Sequence, residues 1–134
     1  MSKSNILIVE DNIINQKVLA AMLGGFDLKL IFTGSGEEAI QVFKAENIDL
    51  ILMDVQLPAM SGVDTAVEIR QLENKLNKKK CIILALTAGV FKSNEDNCLK
   101  AGMDSFLAKP IKLQTLMNEL SRFGISLKSR IENQ

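Results

Sequence analysis

The sequence predicts an α/β fold in which a doubly wound parallel sheet of five strands carries helices on both faces. Short apolar runs alternate five times with amphipathic stretches of helical length, the pattern of repeated strand–helix units. The runs are hydrophobic at consecutive positions, as in strands that are covered on both faces of a parallel sheet. Right-handed crossovers join such strands. The 134 residues have the length of one domain with its own core.

Each predicted strand is a run of four or five mostly apolar residues, and the five runs are residues 5–9, 28–32, 50–53, 82–86 and 105–108. The amphipathic stretches predict helices at about residues 14–23, 37–45, 63–76, 94–101 and 113–123. Gly24, Gly25 and Gly102 follow predicted helices, and Ser35 is suited to cap the start of the second one. We expect a single domain over residues 1–134, with its core at about 5–123 and a tail or linker start at 124–134.

Charge and composition argue against several classes of protein. Sixteen basic residues balance sixteen acidic ones, whereas a nucleic-acid-binding domain needs a basic face for the phosphates. No apolar run approaches a membrane span, and the first residues lack the apolar stretch of a signal peptide. Cys81 and Cys98 lack the spacing of a metal or redox motif, so we expect reduced core residues in a cytoplasmic protein. Histidine is absent, which removes any phosphohistidine donor from this chain.

Reactive side chains follow four of the five predicted strands. Glu10 and Asp11 follow the first strand, Asp54 the third, Thr87 the fourth and Lys109 the fifth. The carboxyl ends of parallel strands open onto one edge of the sheet, where ligands bind. If the strand order is 2-1-3-4-5, the first and third strands are neighbours and their three carboxylates converge. Carboxylates so close resist joint ionisation unless a cation lies between them, and hard oxygen ligands suit Mg²⁺. The alternative is a solvated acidic patch.

These residue types together are suited to phosphoryl transfer. A metal ion and the ammonium of Lys109 can neutralise charge on the transferring group, while Asp54 can act as the nucleophile that accepts it. Thr87 can donate a hydrogen bond to the new oxygens. Lys109 precedes Pro110, where a cis peptide bond is possible and would direct the lysine inward. Taken singly, Thr87 can equally be a strand end and Lys109 a surface charge.

The same positions carry the motifs of a known family. The chain resembles the response-regulator receiver domain of two-component systems over about residues 5–123, and the matching motifs are Glu10-Asp11, Asp54, Leu57-Pro58, Met60-Ser61-Gly62, Ala85-Leu86-Thr87-Ala88 and Lys109-Pro110. The resemblance implies a flavodoxin-like sheet and phosphorylation of Asp54 by a phosphohistidine of a histidine kinase or histidine phosphotransfer protein. It also implies that Asp11, Asp54 and the backbone carbonyl of Gln56 bind Mg²⁺ directly, with Glu10 acting through water.

The resemblance further implies a conformational switch. In the family Thr87 moves toward the phosphoryl group, and an aromatic residue, here Phe106, turns into the vacated space. Alternatively, the Phe106 ring is simply part of the core. The sequence leaves the oligomeric state open, and a dimer that forms on phosphorylation is one alternative.

Residues 9–16 and 53–56 are similar to the receivers of hybrid histidine kinases, and the first helix has a matching physical property. It carries two apolar stripes, Ile14-Val18-Ala21 and Leu19-Met22-Leu23, of which only one is needed to face the sheet. The first stripe is a candidate docking face for a partner helix. A wider buried face is an equally good explanation of the two stripes.

Three rival functions are separable by sequence. A haloacid-dehalogenase-like phosphatase needs a second aspartate two residues after the nucleophile, where this chain has Gln56. A flavin carrier would have its phosphate repelled by Glu10 and Asp11, and the chain has no Trp or Tyr. A binding module that is not phosphorylated has no need of the complete acidic, hydroxyl and lysine set. We therefore expect self-phosphorylation and autodephosphorylation but no metabolic activity.

Overall fold

The computed structural model describes residues 3–88 and 92–129. Within them, one sheet of five parallel strands has the order β2-β1-β3-β4-β5, which confirms the predicted doubly wound, flavodoxin-like architecture. The strands are β1 (Ser4–Val9), β2 (Leu28–Thr33), β3 (Leu50–Asp54), β4 (Ile82–Thr87) and β5 (Ser105–Ala108). The helices are α1 (Ile13–Leu23), α2 (Gly36–Ala45), α3 (Gly62–Lys75), α4 (Lys92–Lys100) and α5 (Leu113–Arg122). No helix in the described ranges is long and apolar enough to cross a membrane.

The first three helices each begin one residue before the predicted start, because a polar residue caps each of them. The side chains of Asn12, Ser35 and Ser61 accept hydrogen bonds from the backbone N–H three residues ahead. Such caps satisfy N–H groups that have no partner inside the helix. Apolar periodicity does not register a cap; of the three caps only Ser35 is predicted from the sequence, and the structure confirms it.

The continuous apolar strands supply two cores, one on each face of the sheet. Leu7 and Val9 of β1 face a core shared with α2 and α3, whereas Ile6 and Ile8 face a core shared with α1 and α5. Cys81 and Cys98 are free thiols within the first core, which confirms that they are core residues. Burial, reinforced by the charge of Glu73, raises the pKa of the Cys81 thiol to about 12.

The chain continues to contact the core after α5. Ile125 is buried in the core beneath α1 and α5. The backbone N–H of Asp27 donates to the carbonyl of Lys128 at 2.8 Å, and Phe26 forms an antiparallel bridge with Ser129. The predicted tail thus packs against the turn between α1 and β2 as far as residue 129, while its remainder, 130–134, lies outside the described residues.

Candidate functional site

The acidic residues at the carboxyl ends of β1 and β3 meet at one edge of the sheet. The pairing of β1 with β3 brings Glu10 and Asp11 alongside Asp54, and one carboxylate oxygen of each lies within 4.8 Å of the others. Glu10 and Asp54 are buried, whereas Asp11 is exposed. The cluster is therefore held by the sheet on one side and open to solvent on the other.

Lys109 follows β5, the edge strand beyond β4, and its side chain extends back to this cluster. Its Nζ lies 3.0 Å from Asp54 Oδ2 and 3.4 Å from Glu10 Oε1. Its backbone N–H donates to the carbonyl of Thr87 at 2.7 Å, and the peptide bond to Pro110 is cis. Partial burial acts to lower the pKa of the ammonium, but the hydrogen bond and charge of Asp54 and the charge of Glu10 outweigh it and raise that pKa. Lys109 therefore remains a cation throughout the physiological range.

The donor set fits a magnesium ion. Three carboxylates face one ammonium, which leaves an excess of negative charge at an edge that solvent can reach. Hard oxygen ligands that leave room for several waters are what Mg²⁺ prefers. The backbone N–H of Gln56 donates to Asp54 Oδ1 at 3.0 Å and orients that carboxylate. The role of the Gln56 carbonyl as a ligand remains a prediction.

Thr87 lies on β4, the neighbour of β3, and Phe106 lies on β5, the next strand along the sheet. Thr87 is buried at the end of β4, and its hydroxyl donates to the carbonyl of Leu107 on β5 over 3.5 Å, which is long for such a bond. Phe106 is half-buried and packs against the core shared with α2 and α3. The switch role of Thr87 and Phe106 remains a prediction.

The support of Glu10 by α1 is a feature that the sequence reasoning missed. The Glu10 carboxylate accepts from the backbone N–H of Asn12 at 3.1 Å and from Asn15 Nδ2 at 3.2 Å. Gln16 Nε2 donates to the Glu10 carbonyl at 2.6 Å. Polar residues at the start of a helix resemble an ordinary solvated turn. Asn12 is a residue type suited to cap a helix, and a cap at this position places the first turn of α1, with Asn15, beside Glu10. That suitability is the one signal in the sequence from which the contact could be predicted.

Gly62, the first residue of α3, lies directly against the backbone of the phosphoacceptor candidate. A Cβ at this position would come within 2.1 Å of the Asp54 carbonyl oxygen and 2.9 Å of the Val55 Cα. The Gly62 N–H also donates to the carbonyl of Val55 at 3.0 Å. A side chain at position 62 therefore cannot be accommodated unless α3 moves away from β3.

Gly62→Ala is accordingly expected to lower the free energy of unfolding by about 1–3 kcal/mol, the usual cost of forcing extra atoms into packed backbone. Urea unfolding followed by circular dichroism measures the loss. The matched control is Gly25→Ala, since a Cβ at Gly25 meets nothing within 4 Å. Equal stability of the two variants would contradict the close approach of α3 to β3.

The structure distinguishes the two explanations of the α1 stripes. Leu19 and Leu23 are buried against the sheet, whereas Ile14 is 71% exposed, Val18 is 45% exposed and Ala21 is also exposed. The wider buried face is therefore wrong. Beside the exposed stripe lies a cleft of about 430 Å³, lined in part by Glu10, Val18, Leu86, Lys109, Pro110 and Ile111. An apolar surface thus continues from α1 to the edge of the acidic cluster.

Comparison with protein families gives a match over nearly the whole chain. The family model described as the response regulator receiver domain matches residues 6–121. Hybrid signal transduction histidine kinase A of Dictyostelium discoideum is 42% identical over 119 residues, which cover 88% of this chain and 6% of that protein. The chain therefore spans only a small part of that relative's length.

Two solved structures are similar in both sequence and fold. The receiver domain of Ssk1 from Saccharomyces cerevisiae, crystallised with the histidine phosphotransfer protein Ypd1, superposes with a TM-score of 0.86 at 34% identity. That match covers 91% of this chain and 89% of the other. The receiver domain of sensor histidine kinase PA1611 from Pseudomonas aeruginosa has a TM-score of 0.81 at 38% identity, covering 91% and 98%. It was solved with a magnesium ion coordinated in its active site cleft.

Proposed function

The chain belongs to the response regulator receiver domain family of two-component signalling, and from this premise we propose that Asp54 accepts a phosphoryl group from a phosphohistidine of another protein. One observation carries the proposal. The Asp54 carboxylate lies 3.0 Å from the ammonium of Lys109, and one of its oxygens lies within 4.8 Å of a carboxylate oxygen of Glu10 and of Asp11. This arrangement provides a nucleophile, a fixed cation and a site for a divalent ion at one point on the surface.

In the proposed reaction a carboxylate oxygen of Asp54 attacks the phosphorus, a P–O bond forms, and the P–N bond to the donor imidazole breaks. The leaving imidazole keeps the bonding electron pair and takes up a proton. When bound, Mg²⁺ supplies charge neutralisation to the phosphoryl oxygens. Asp11, Asp54 and the Gln56 carbonyl would hold it directly, and Glu10 would act through water. Lys109 pairs with a phosphoryl oxygen in place of Asp54 Oδ2, so that its charge stays compensated throughout.

The response to phosphorylation is proposed to begin at Thr87. A phosphoryl group offers its hydroxyl a charged acceptor in place of the 3.5 Å bond to the Leu107 carbonyl. Movement of Thr87 leaves space on the side of β5, which the half-buried ring of Phe106 can fill. Reversing a two-state equilibrium from mostly one form to mostly the other requires about 5 kcal/mol of differential stabilisation.

Incubation with acetyl phosphate and Mg²⁺ tests the proposal. The protein should gain one phosphoryl group that is stable in acid and released by hydroxylamine, as an acyl phosphate is. Chelation of the metal with EDTA should prevent the gain. Continuous turnover of phosphate esters would instead indicate a haloacid-dehalogenase-like phosphatase, and no uptake would indicate a binding module that is not phosphorylated.

We infer that the donor is a histidine phosphotransfer protein or histidine kinase that docks on the exposed α1 stripe of Ile14, Val18 and Ala21. The Ssk1 receiver, a relative of this domain, was crystallised with such a phosphotransfer protein. The stripe is apolar, exposed and continuous with the cleft at Lys109. A helix bundle carrying the donor histidine can therefore pack on α1 while that histidine faces Asp54.

Ile14→Ala is expected to slow phosphoryl transfer from a phosphorylated histidine phosphotransfer protein by about tenfold, the usual effect of truncating an anchor in an interface. Its uptake from acetyl phosphate should be unchanged, since no docking is needed. Val67→Ala is the matched control, because Val67 is also exposed but lies on α3 beneath the other face of the sheet. Rapid-quench measurement with Ypd1 and further phosphotransfer proteins checks this, and an equal effect of both variants would rule out α1 as the docking face.

We further infer that residues 1–134 act as a single cytoplasmic receiver domain, in keeping with the two free, buried cysteines. The similarity to hybrid kinase A is in keeping with an origin in a hybrid histidine kinase, and the similarity to the Ssk1 receiver with an origin in a response regulator.

A further inference from the structure

We propose that Asn15 is a positioning residue for the phosphoacceptor site, holding Glu10 in the orientation from which it acts on the metal; the proposal rests on the function proposed above. Glu10 is 2% exposed, so that its carboxylate depends on protein donors rather than on bulk water. Asn15 Nδ2 donates to Glu10 Oε1 at 3.2 Å, and the Asn12 N–H donates to Glu10 Oε2 at 3.1 Å. Each oxygen thus has a donor from the first turn of α1.

The contact with Asn15 matters because Glu10 Oε1 is shared. The same oxygen receives the ammonium of Lys109, which is 3.4 Å from Glu10 but 3.0 Å from Asp54. Once Lys109 turns to a phosphoryl group, Asn15 becomes the principal side-chain donor to Oε1 in this geometry. Without Asn15, only the Asn12 N–H, on the other oxygen, still orients the carboxylate, and Oε1 can turn toward the ammonium and compete with Asp54 for it.

The residue type at position 15 is suited to this task. An amide donates a hydrogen bond without adding charge, so the negative charge that attracts a divalent ion is preserved. A lysine or arginine here would cancel that charge, and an aspartate would repel Glu10. Asn15 is also half-buried between the exposed Ile14 and Val18, so the α1 turn that carries the proposed docking stripe also holds Glu10.

The test replaces the amide with an apolar group of similar size. Asn15→Leu should weaken Mg²⁺ binding by about tenfold, the lower end of the effect of removing a partner of a metal-site ligand. Isothermal titration calorimetry with MgCl₂ measures the dissociation constant. Asn15→Ala, which adds no bulk, should show the same weakening. The matched control is Gln114→Leu, since Gln114 is exposed and its amide donates to the exposed Asn118 within α5 rather than to a residue of the acidic cluster.

Two further measurements separate positioning from a general structural effect. The rate of phosphoryl uptake from acetyl phosphate should fall in Asn15→Leu at low MgCl₂ and recover at saturating MgCl₂. In the metal-free protein, the NMR signal of the Asn12 N–H, which donates to Glu10, should shift in Asn15→Leu and remain in place in Gln114→Leu. Neither result follows from a mere loss of stability.

Wild-type Mg²⁺ affinity in both Asn15 variants, together with an unmoved Asn12 signal, would overturn the proposal. A uniform loss of uptake that saturating MgCl₂ does not restore would also overturn it. Failure of the wild-type protein to take up any phosphoryl group would reject the proposed function instead. The weakened Mg²⁺ binding of Asn15→Leu would in that case still establish the role of Asn15 toward Glu10.

Discussion

Replacing Asp54 with asparagine is expected to reduce phosphoryl uptake to an undetectable level, from acetyl phosphate and from phosphohistidine alike. Asparagine keeps the shape of the side chain but replaces a nucleophilic carboxylate with a neutral amide. Asp54 is the proposed nucleophile because Lys109 contacts its Oδ2 at 3.0 Å and the Gln56 N–H donates to its Oδ1. Mass spectrometry of the intact protein after incubation with the donor and Mg²⁺ measures the uptake.

The matched control for this variant is Asp49→Asn, which makes the same chemical change just before the amino end of β3. Asp49 accepts from the backbone N–H of Asn5 and lies at the opposite edge of the sheet, so uptake should persist. Asp54→Asn should remain folded, because Glu10 still pairs with Lys109 and repulsion among the three carboxylates falls. Phosphorylation of Asp54→Asn at the wild-type level would transfer the role of acceptor to Glu10 or Asp11.

The site could be predicted from the sequence because the backbone alone assembles it. The apolar runs determine where the strands end, and the doubly wound order places the first and third strands together. The residues at the carboxyl ends of those strands, Glu10 and Asp11 just after β1 and Asp54 at the end of β3, must then meet. Lys109 follows by the same reasoning from β5. No knowledge of side-chain packing was needed for these four residues.

The remaining features depend on burial, which a local pattern does not reveal. Asn15 is one of several polar residues at the start of α1. It is a partner of Glu10 only because of the way α1 packs relative to β1. Either stripe of α1 has the spacing to face the sheet, and the packing of Leu19 and Leu23 decides between them. Arg70 and Glu73, three residues apart on α3, have the spacing of an ordinary surface ion pair.

Arg70 is instead the centre of a largely buried network that joins α3 to β4 and β5. Its guanidinium contacts Glu73 at 3.0 Å and Asp104 at 2.9 Å, and it donates to the carbonyls of Cys81 and Gly102. The two carboxylates also accept backbone N–H groups at the start of β4, from Cys81 at 2.7 Å and from Ile83 at 2.8 Å. The network therefore connects α3 with the residues at the start of β4 and β5.

Arg70→Met is expected to lower the free energy of unfolding by about 3–5 kcal/mol, the cost of removing one partner of a buried ion pair and leaving the other charge without compensation. Methionine fills much of the volume but leaves Glu73, whose side chain is 7% exposed, without its counter-charge. Urea unfolding measures the loss.

Arg122→Met is the matched control, because Arg122 also pairs with a glutamate three residues away but is 61% exposed. Such surface pairs contribute at most about 1 kcal/mol. The double variant Arg70→Met/Glu73→Gln should recover part of the stability, since it removes the charge left uncompensated. If Arg70→Met were no less stable than Arg122→Met, the Arg70 network would be a surface feature, and the attachment of α3 to β4 and β5 would rest on apolar packing alone.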